Sequence, residues 1–198
     1  TAYGLMQFND MKKVGGKVDQ EMLDRTAKWL MDRKDGKGGF SRNGRALDYF
    51  GRASEEVTNA YIIYSLSEAG YTDIKKEFTA AYESAKKGDA YVMALVANSA
   101  YNLNEKAKGD ALMSDLLKKQ NKDGIFAGAA HSITFSTGQS LDIETTSLAM
   151  MAIMKSKNYT GELMSSVKWL MSARNGYGAF GNTQGTILAL KALTEFAK

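Results

Sequence analysis

One device recurs along this chain and dictates most of what it can fold into. Ala27-Lys28-Trp29-Leu30-Met31 runs into Asp35-Gly36-Lys37-Gly38-Gly39-Phe40, and Trp169-Leu170-Met171 runs into Asn175-Gly176-Tyr177-Gly178-Ala179-Phe180, with the same eleven-residue step from Trp to Phe. A degenerate third copy runs from Leu116-Leu117-Lys118-Lys119-Gln120-Asn121 to Asp123-Gly124-Ile125-Phe126. Each copy reads as a helix end, a glycine turn whose backbone freedom no β-carbon allows, and a phenylalanine folded back as an apolar plug. A cap for the next helix follows, Asn182 or Thr183 in the last copy. Such self-similarity marks a repeat of helix-turn-helix hairpins.

Composition supports an all-helical reading. The 198 residues include 19 glycines, no proline and no cysteine. Without proline nothing interrupts a helix for want of a donor, so the turns rest on glycine. Without cysteine, disulfides, thiolate metal sites and thiol nucleophiles are excluded within these residues. A hydrophobic content of 44% supports one well-buried domain over residues 1–198. The net charge of +4 arrives mostly as isolated pairs, Lys12-Lys13, Arg33-Lys34, Lys86-Lys87 and Lys118-Lys119. Each pair falls where a helix is expected to end, as cations complementing the dipole do. No basic stripe interleaved with aromatics points to nucleic acid. No apolar run reaches the ~18 residues of a membrane span, and no signal peptide is present. Thr1 reads as a cut end, because the first residues are already periodic and apolar.

Taken in order, Thr1 to Lys13 reads as a helix with Leu5, Met6 and Phe8 inward. Asp19 caps a second carrying Met22, Leu23, Thr26 and Leu30 on one face. A polar loop through Asn43 and Asp48 leads to Ser54, whose Glu55-Glu56 first turn is a strong start signal for the apolar helix of Tyr61-Ile62-Ile63-Tyr64-Ser65-Leu66. Thr72 is expected to cap an amphipathic helix to Lys87, and Asp89 a buried one that ends near Asn102. Glu105 to Gln120 is again one-faced. A long Gly/Ser/Thr loop, Gly124 to Leu141, delivers Asp142 as cap of the most apolar helix, Glu144 to Lys155. Thr160 to Arg174 and Gln184 to Ala197 complete the chain. Strict alternation of all-round apolar helices with one-faced helices packs economically as an inner ring wrapped by an outer one, an α/α toroid of about nine helices, five inner and four outer. The turns after Trp29 and Trp169 then share the face where inner helices begin.

Catalytic groups are sparse. His131 sits in a Ser/Thr/Gly loop with no second titratable partner near it in sequence, and a surface hydrogen-bonding role explains it better than catalysis. Asp142 and Glu144 suit a general acid/base pair, but a helix cap plus a first-turn acid accounts for both. The eleven methionines read as core filler rather than a metal or partner surface. Gly36 to Gly39 is too short and wrongly followed for a phosphate loop. No cofactor is implied.

Two strings stand out: Ile143-Glu144-Thr145-Thr146-Ser147-Leu148-Ala149-Met150-Met151-Ala152-Ile153, and Trp169 through Leu193 with its Arg174-Asn175-Gly176-Tyr177-Gly178-Ala179-Phe180-Gly181-Asn182-Thr183-Gln184-Gly185-Thr186 centre. They resemble the carboxyl-terminal half of the thioester domain of alpha-macroglobulins and complement proteins. That family reads roughly Val-Glu-Thr-Thr-Ala-Tyr-Ala-Leu-Leu-Ala, then Trp-Leu-x-x-Gln-Arg-Asn-x-x-Gly-Gly-Phe-x-Ser-Thr-Gln-Asp-Thr. Thr1-Ala2-Tyr3-Gly4-Leu5 and Val57-Thr58-Asn59-Ala60-Tyr61 resemble family inner-helix starts, so the likeness covers almost the whole chain. Its tone is that of the large bacterial members.

The resemblance implies the scaffold of a protease trap, outside the cell or in the periplasm or cell envelope, whose partners are proteases and the other domains of a longer parent. The family's strained thioester joins Cys and Gln of a Gly-Cys-x-Glu-Gln motif. With no cysteine here, that motif is expected upstream of Thr1, together with the missing opening hairpins. Gln184-Gly185-Thr186 departs from the usual Gln-Asp-Thr by losing a carboxylate. Complement members that acylate hydroxyls place a histidine shortly before the glycine aligned with Gly51. Here that place falls at Ala46 or Leu47, with Asp48 beside it, which implies transfer to amines rather than sugars. Asp48, His131, Glu144 and Gln184 are the ring-face candidates, and no turnover is expected from this portion alone. Self-association through the open toroid edge is also expected. Two other classes stay open: a toroid enzyme such as a prenyltransferase, terpene cyclase or glycosidase, and a thioester-free interaction module. The first wants Cys and His zinc ligands, an Asp-rich motif or two carboxylates at the ring mouth. Only the last has even weak candidates.

Overall fold

Two concentric layers of helices make up the computed structural model, which describes residues 1–41, 53–128 and 130–198. Among them the inner helices are α1 (Ala2–Lys13), α3 (Glu55–Glu68), α5 (Ala90–Asn102), α7 (Gly138–Ser156) and α9 (Thr183–Phe196). The outer ones are α2 (Gln20–Met31), α4 (Lys75–Ala85), α6 (Lys106–Leu117) and α8 (Thr160–Ser172). Inner helices pack in the order α1, α3, α5, α7, α9, and α2, α4, α6 and α8 return the chain along the outside. Successive inner helices therefore run parallel, and their amino ends share one face. The fold is an all-helical α/α toroid.

Burial follows the sequence pattern. Nearly every residue of α5 from Ala90 to Ala100 and of α7 from Ile143 to Ile153 is buried, whereas α2 buries one stripe, Leu23, Ala27 and Leu30. A helix apolar all round survives only when covered on every side. Asn98 supplies a polar link inside this core: its Nδ2 donates to the Ala94 carbonyl at 2.8 Å and to the Leu148 carbonyl of α7 at 2.9 Å.

The three repeated turns are one structure. The side-chain oxygen of Asp35, Asn121 or Asn175 accepts hydrogen bonds from the amides two and four residues on, at 2.6–3.0 Å. In each turn the amide of that same residue donates to the carbonyl four residues on, at 2.9–3.0 Å. Three residues after the Asx, Gly38, Gly124 and Gly178 all take positive φ (107°, 88° and 85°), which L side chains rarely adopt. The phenylalanine that follows is buried in all three turns. Its amide donates into the next inner helix, to Asn59 Oδ1, Thr146 Oγ1 or Thr186 Oγ1. Each turn thus pins an outer helix to the inner helix after it. The only pairings outside helices among the described residues are two isolated bridges, both closing such turns.

Several local expectations are corrected. Thr72 does not cap α4: its carbonyl accepts from the Ile74 amide at 2.8 Å, and the buried Ile74 holds the cap position without a side-chain bond. Asp142 does not cap α7, which begins at Gly138 behind Thr137. The long loop therefore ends before Gly138. Phe8 is 41% exposed rather than inward, because α2 and α3 cover the Leu5–Met6 side of α1 and leave Phe8 and Met11 on an uncovered row. Met11, Met164 and Met171 are likewise exposed, so only part of the methionine set fills the core. Asp19, Ser54, Asp89 and Asn182 do cap their helices, accepting from Glu21, Val57, Val92 and Gly185 amides.

Where the inner helices end, each contributes one polar group to a single network. Glu68 of α3 pairs with Lys155 of α7, accepts from Asn102 of α5 at 2.8 Å, and lies 3.4 Å from Lys191 of α9, which reaches Asp10 of α1 at 2.8 Å. A cavity of about 830 Å³ opens beside it, floored by Met151, Met154, Ile187 and Leu190.

Candidate functional site

At the opposite face, where inner helices begin, the loop between α6 and α7 lies across the ring. Its Ser132–Ser136 segment is internally tied: the Ser132 hydroxyl accepts from the Thr134 and Ser136 amides at 3.2 Å, and the Ser132 amide donates to the Ser136 carbonyl at 3.2 Å. Phe135 takes φ 61° there and stacks on His131, ring centroids 4.3 Å apart and planes 7° from parallel. Three inner helices hold the loop down. The Ile133 amide donates to the Tyr91 hydroxyl of α5 at 3.3 Å, Ser136 donates to Glu144 Oε1 of α7, and Asn182, the α9 cap, donates to Ser136 Oγ at 2.6 Å.

Glu144 is the chemical centre of this face. Because α7 starts at Gly138, Glu144 falls in its second turn and is fully buried, not a first-turn surface acid. The helix cap and first-turn acid reading of Asp142 and Glu144 is thereby overturned. Burial pushes the Glu144 carboxyl above the usual carboxylate range, opposed by hydrogen bonding from Ser136, Ser132, Asn182 and Thr134. Its second oxygen, Oε2, has no partner, and the buried Tyr61 hydroxyl of α3 lies beside the buried Gln184 of α9. The Glu144 charge reaches Tyr3 of α1, Tyr61 and Tyr91, whose hydroxyls are pushed upward first by burial and then by that charge among others. Asp142, half-buried, is raised by burial against a hydrogen bond from the Gly128 amide.

The candidates therefore separate. Glu144 and Gln184 are both buried near Tyr61, in the amino-terminal turns of α7 and α9, and the loop brings His131 to the same face, where its Nδ1 lies 3.1 Å from the Ser132 carbonyl. Asp48, Ala46 and Leu47 lie outside the described residues. Thr134, Ser136, Tyr61 and Asn182 were not singled out from sequence as site groups. The alternating hydroxyls of Ser132-Ile133-Thr134-Phe135-Ser136 are the signal that could have found the first two; none marks Tyr61 or Asn182 as a site group. Among the described residues no cluster of three metal-ligating side chains occurs, and no helix is long and apolar enough to cross a membrane.

A parallel inner ring, glycine-pinned hairpins and a polar mouth define an α/α toroid of the thioester-domain type. The chain belongs to the A-macroglobulin TED domain family, whose model matches residues 1–196. It is 28% identical to ovostatin of Gallus gallus over 201 residues, which cover 90% of this chain and 14% of that protein. It is also 24% identical over 206 residues to thioester-containing protein 1 allele S3 of Anopheles gambiae, covering 100% of this chain and 15% of the relative. Allele R1 of the same mosquito protein is 28% identical over 192 residues, covering 91% and 14% respectively. The chain thus spans about a seventh of the length of the curated relatives it matches.

Proposed function

We propose that this chain is the scaffold portion of the thioester domain in an alpha-macroglobulin-like endopeptidase inhibitor that traps proteases covalently, working outside the cell or in the periplasm or cell envelope of a bacterium. Membership of the TED family carries this reading, and the thioester-containing relatives support it. The cysteine and glutamine of the thioester belong to the longer parent, since these 198 residues hold no cysteine. The toroid holds and shields the acyl group and has no turnover of its own. Its partners are proteases and neighbouring domains of the parent. A toroid enzyme would instead need paired carboxylates or metal ligands at the mouth.

With no histidine at Ala46 or Leu47, the acyl group passes directly to amines. Incubating the activated longer protein with labelled methylamine and labelled glycerol tests this. Methylamine incorporation far above glycerol is expected. Efficient glycerol incorporation abolished by His131→Ala overturns the amine assignment, and incorporation of neither overturns the thioester reading.

A further inference from the structure

The buried carboxyl at the ring mouth is connected to the surface by hydroxyls. Thr134 is exposed on the loop. Its Oγ1 lies 3.3 Å from Ser136 Oγ and 3.0 Å from Ser132 Oγ, and Ser136, itself buried, donates to Glu144 Oε1. Asn182 Nδ2 donates to the same Ser136 oxygen at 2.6 Å, a contact that uses a lone pair and leaves the Ser136 proton available for its bond to Glu144. One consistent orientation of the hydroxyls therefore runs inward, Thr134 to Ser136 to Glu144. A structural carboxylate in a core is expected to be paired or fully bonded. Glu144 has hydroxyl and amide donors on one side only: its Oε2 has no partner, and no lysine or arginine of the described residues is bonded to it.

We infer that Thr134, Ser136 and Glu144 form a proton relay, with Glu144 as the proton-accepting group that serves acyl transfer at this face. The inference rests on the thioester reading above. In the step, the amine nitrogen attacks the acyl carbon, the C–N bond forms, and the C–S bond breaks with its electron pair staying on sulfur as thiolate. The nitrogen sheds one proton to Thr134 Oγ1. Thr134 passes its own proton to Ser136, and Ser136 passes its own to Glu144 Oε1, so carboxylate becomes carboxylic acid. A trap acts once, so a single proton taken up suffices and no recycling of the relay is needed. Glu144 acts through two hydroxyls rather than by touching the amine, which makes it a positioning and proton-holding residue. The titratable groups facing it are Tyr3 from α1, Tyr61 from α3 and Tyr91 from α5. The neutral Asn182 faces it from the cap of α9, and Ser132, Thr134 and Ser136 from the loop that also carries His131.

Two measurements test the relay. In the longer protein, thiol release by methylamine is followed against pH for wild type, Glu144→Gln, Ser136→Ala and Thr134→Val. The relay predicts at least about a tenfold slower release in Glu144→Gln and Ser136→Ala, with loss of the inflection that wild type shows where Glu144 titrates. Wild-type rates and an unchanged profile in both variants overturn it. If wild type itself releases no thiol, the thioester reading fails, and the relay is judged on this chain alone by carbon-13 titration of the Glu144 carboxyl. A midpoint above the ordinary range that moves in Ser136→Ala and Thr134→Val sustains the relay. An ordinary midpoint, indifferent to both, removes it.

Discussion

Lys191 on the last inner helix sets its ammonium 2.8 Å from the Asp10 carboxylate on the first, and 3.4 Å from Glu68 between them in the ring. The two ends of the open ring are thus tied by one side chain, at the face opposite the candidate site. Burial alone raises the Glu68 carboxyl, but Lys155 and Lys191 outweigh it and hold it at about 2.

This network predicts acid sensitivity. A carboxyl whose folded pKa lies below its unfolded value stabilises the fold above the unfolded value, and that stability is lost as pH falls through the folded one. The window here runs from the ordinary range near 4.5 down to about 2. The full shift corresponds to about 3 kcal/mol, but burial also lowers the Lys155 ammonium against the pull of Glu68. The net loss on acidification is therefore about 1–3 kcal/mol. Denaturant melts of wild type and Glu68→Gln between pH 6 and 2.5 check this: the variant is expected to start less stable and to show the shallower acid slope.

The turn glycines are expected to differ sharply. A Cβ on Gly124 would sit 2.4 Å from the Ser165 carbonyl carbon and oxygen, at a φ of 88°, whereas a Cβ on Gly176 meets nothing within 4 Å. Gly124→Ala is expected to cost more than about 3 kcal/mol, through strain and backbone overlap together, and Gly176→Ala to stay within about 0.5 kcal/mol. Paired thermal melts decide it; equal costs contradict the account of the turns.

How much of this was legible in advance follows from the range of the interactions. The Trp-to-Phe step, the glycines and the inner-outer alternation are local, and they led to the toroid and to the caps at Asp19, Ser54, Asp89 and Asn182. Glu144 was legible as a ring-face candidate through the family resemblance, but not as a buried group. Its burial depends on α7 starting at Gly138, a start with no side-chain cap to announce it. The bonds from Ser136 to Glu144 and from Asn182 to Ser136 span eight and 46 residues and join three elements, so no local spacing encodes them. Thr72 misled because its backbone carbonyl closes a tight turn while the side chain sits idle as a cap.

Glu144 predicts the opposite pH dependence from Glu68. Its folded pKa is raised, so the stability it confers is fully present below the ordinary carboxylate value and is lost as pH rises through the folded one. Glu144→Gln keeps an acceptor for Ser136 and removes the buried charge. It is expected to raise the melting temperature at neutral pH and to flatten the decline above the ordinary carboxylate range. A variant less stable than wild type at neutral pH, with the decline unchanged, contradicts the buried-charge account.

Between α1 and α9 the exposed Met11, Val14 and Leu190 line the 830 Å³ cavity, and Phe8 of α1 and Phe196 of α9 are exposed as well. Exposed apolar side chains gathered along one edge favour association. Sedimentation of this chain is expected to show concentration-dependent self-association that Leu190→Glu weakens. A monomer at every concentration argues that the edge is covered from within.

The central claim, a toroid scaffold that presents an acyl group for protease capture, is tested most directly by reacting the longer protein with trypsin and resolving the products under denaturing, reducing conditions. The account predicts a covalent adduct in which a trypsin lysine is amide-linked to the parent, one thiol released per adduct, and both abolished by prior methylamine treatment. Cleavage of the parent with no adduct, no released thiol and no effect of methylamine contradicts it.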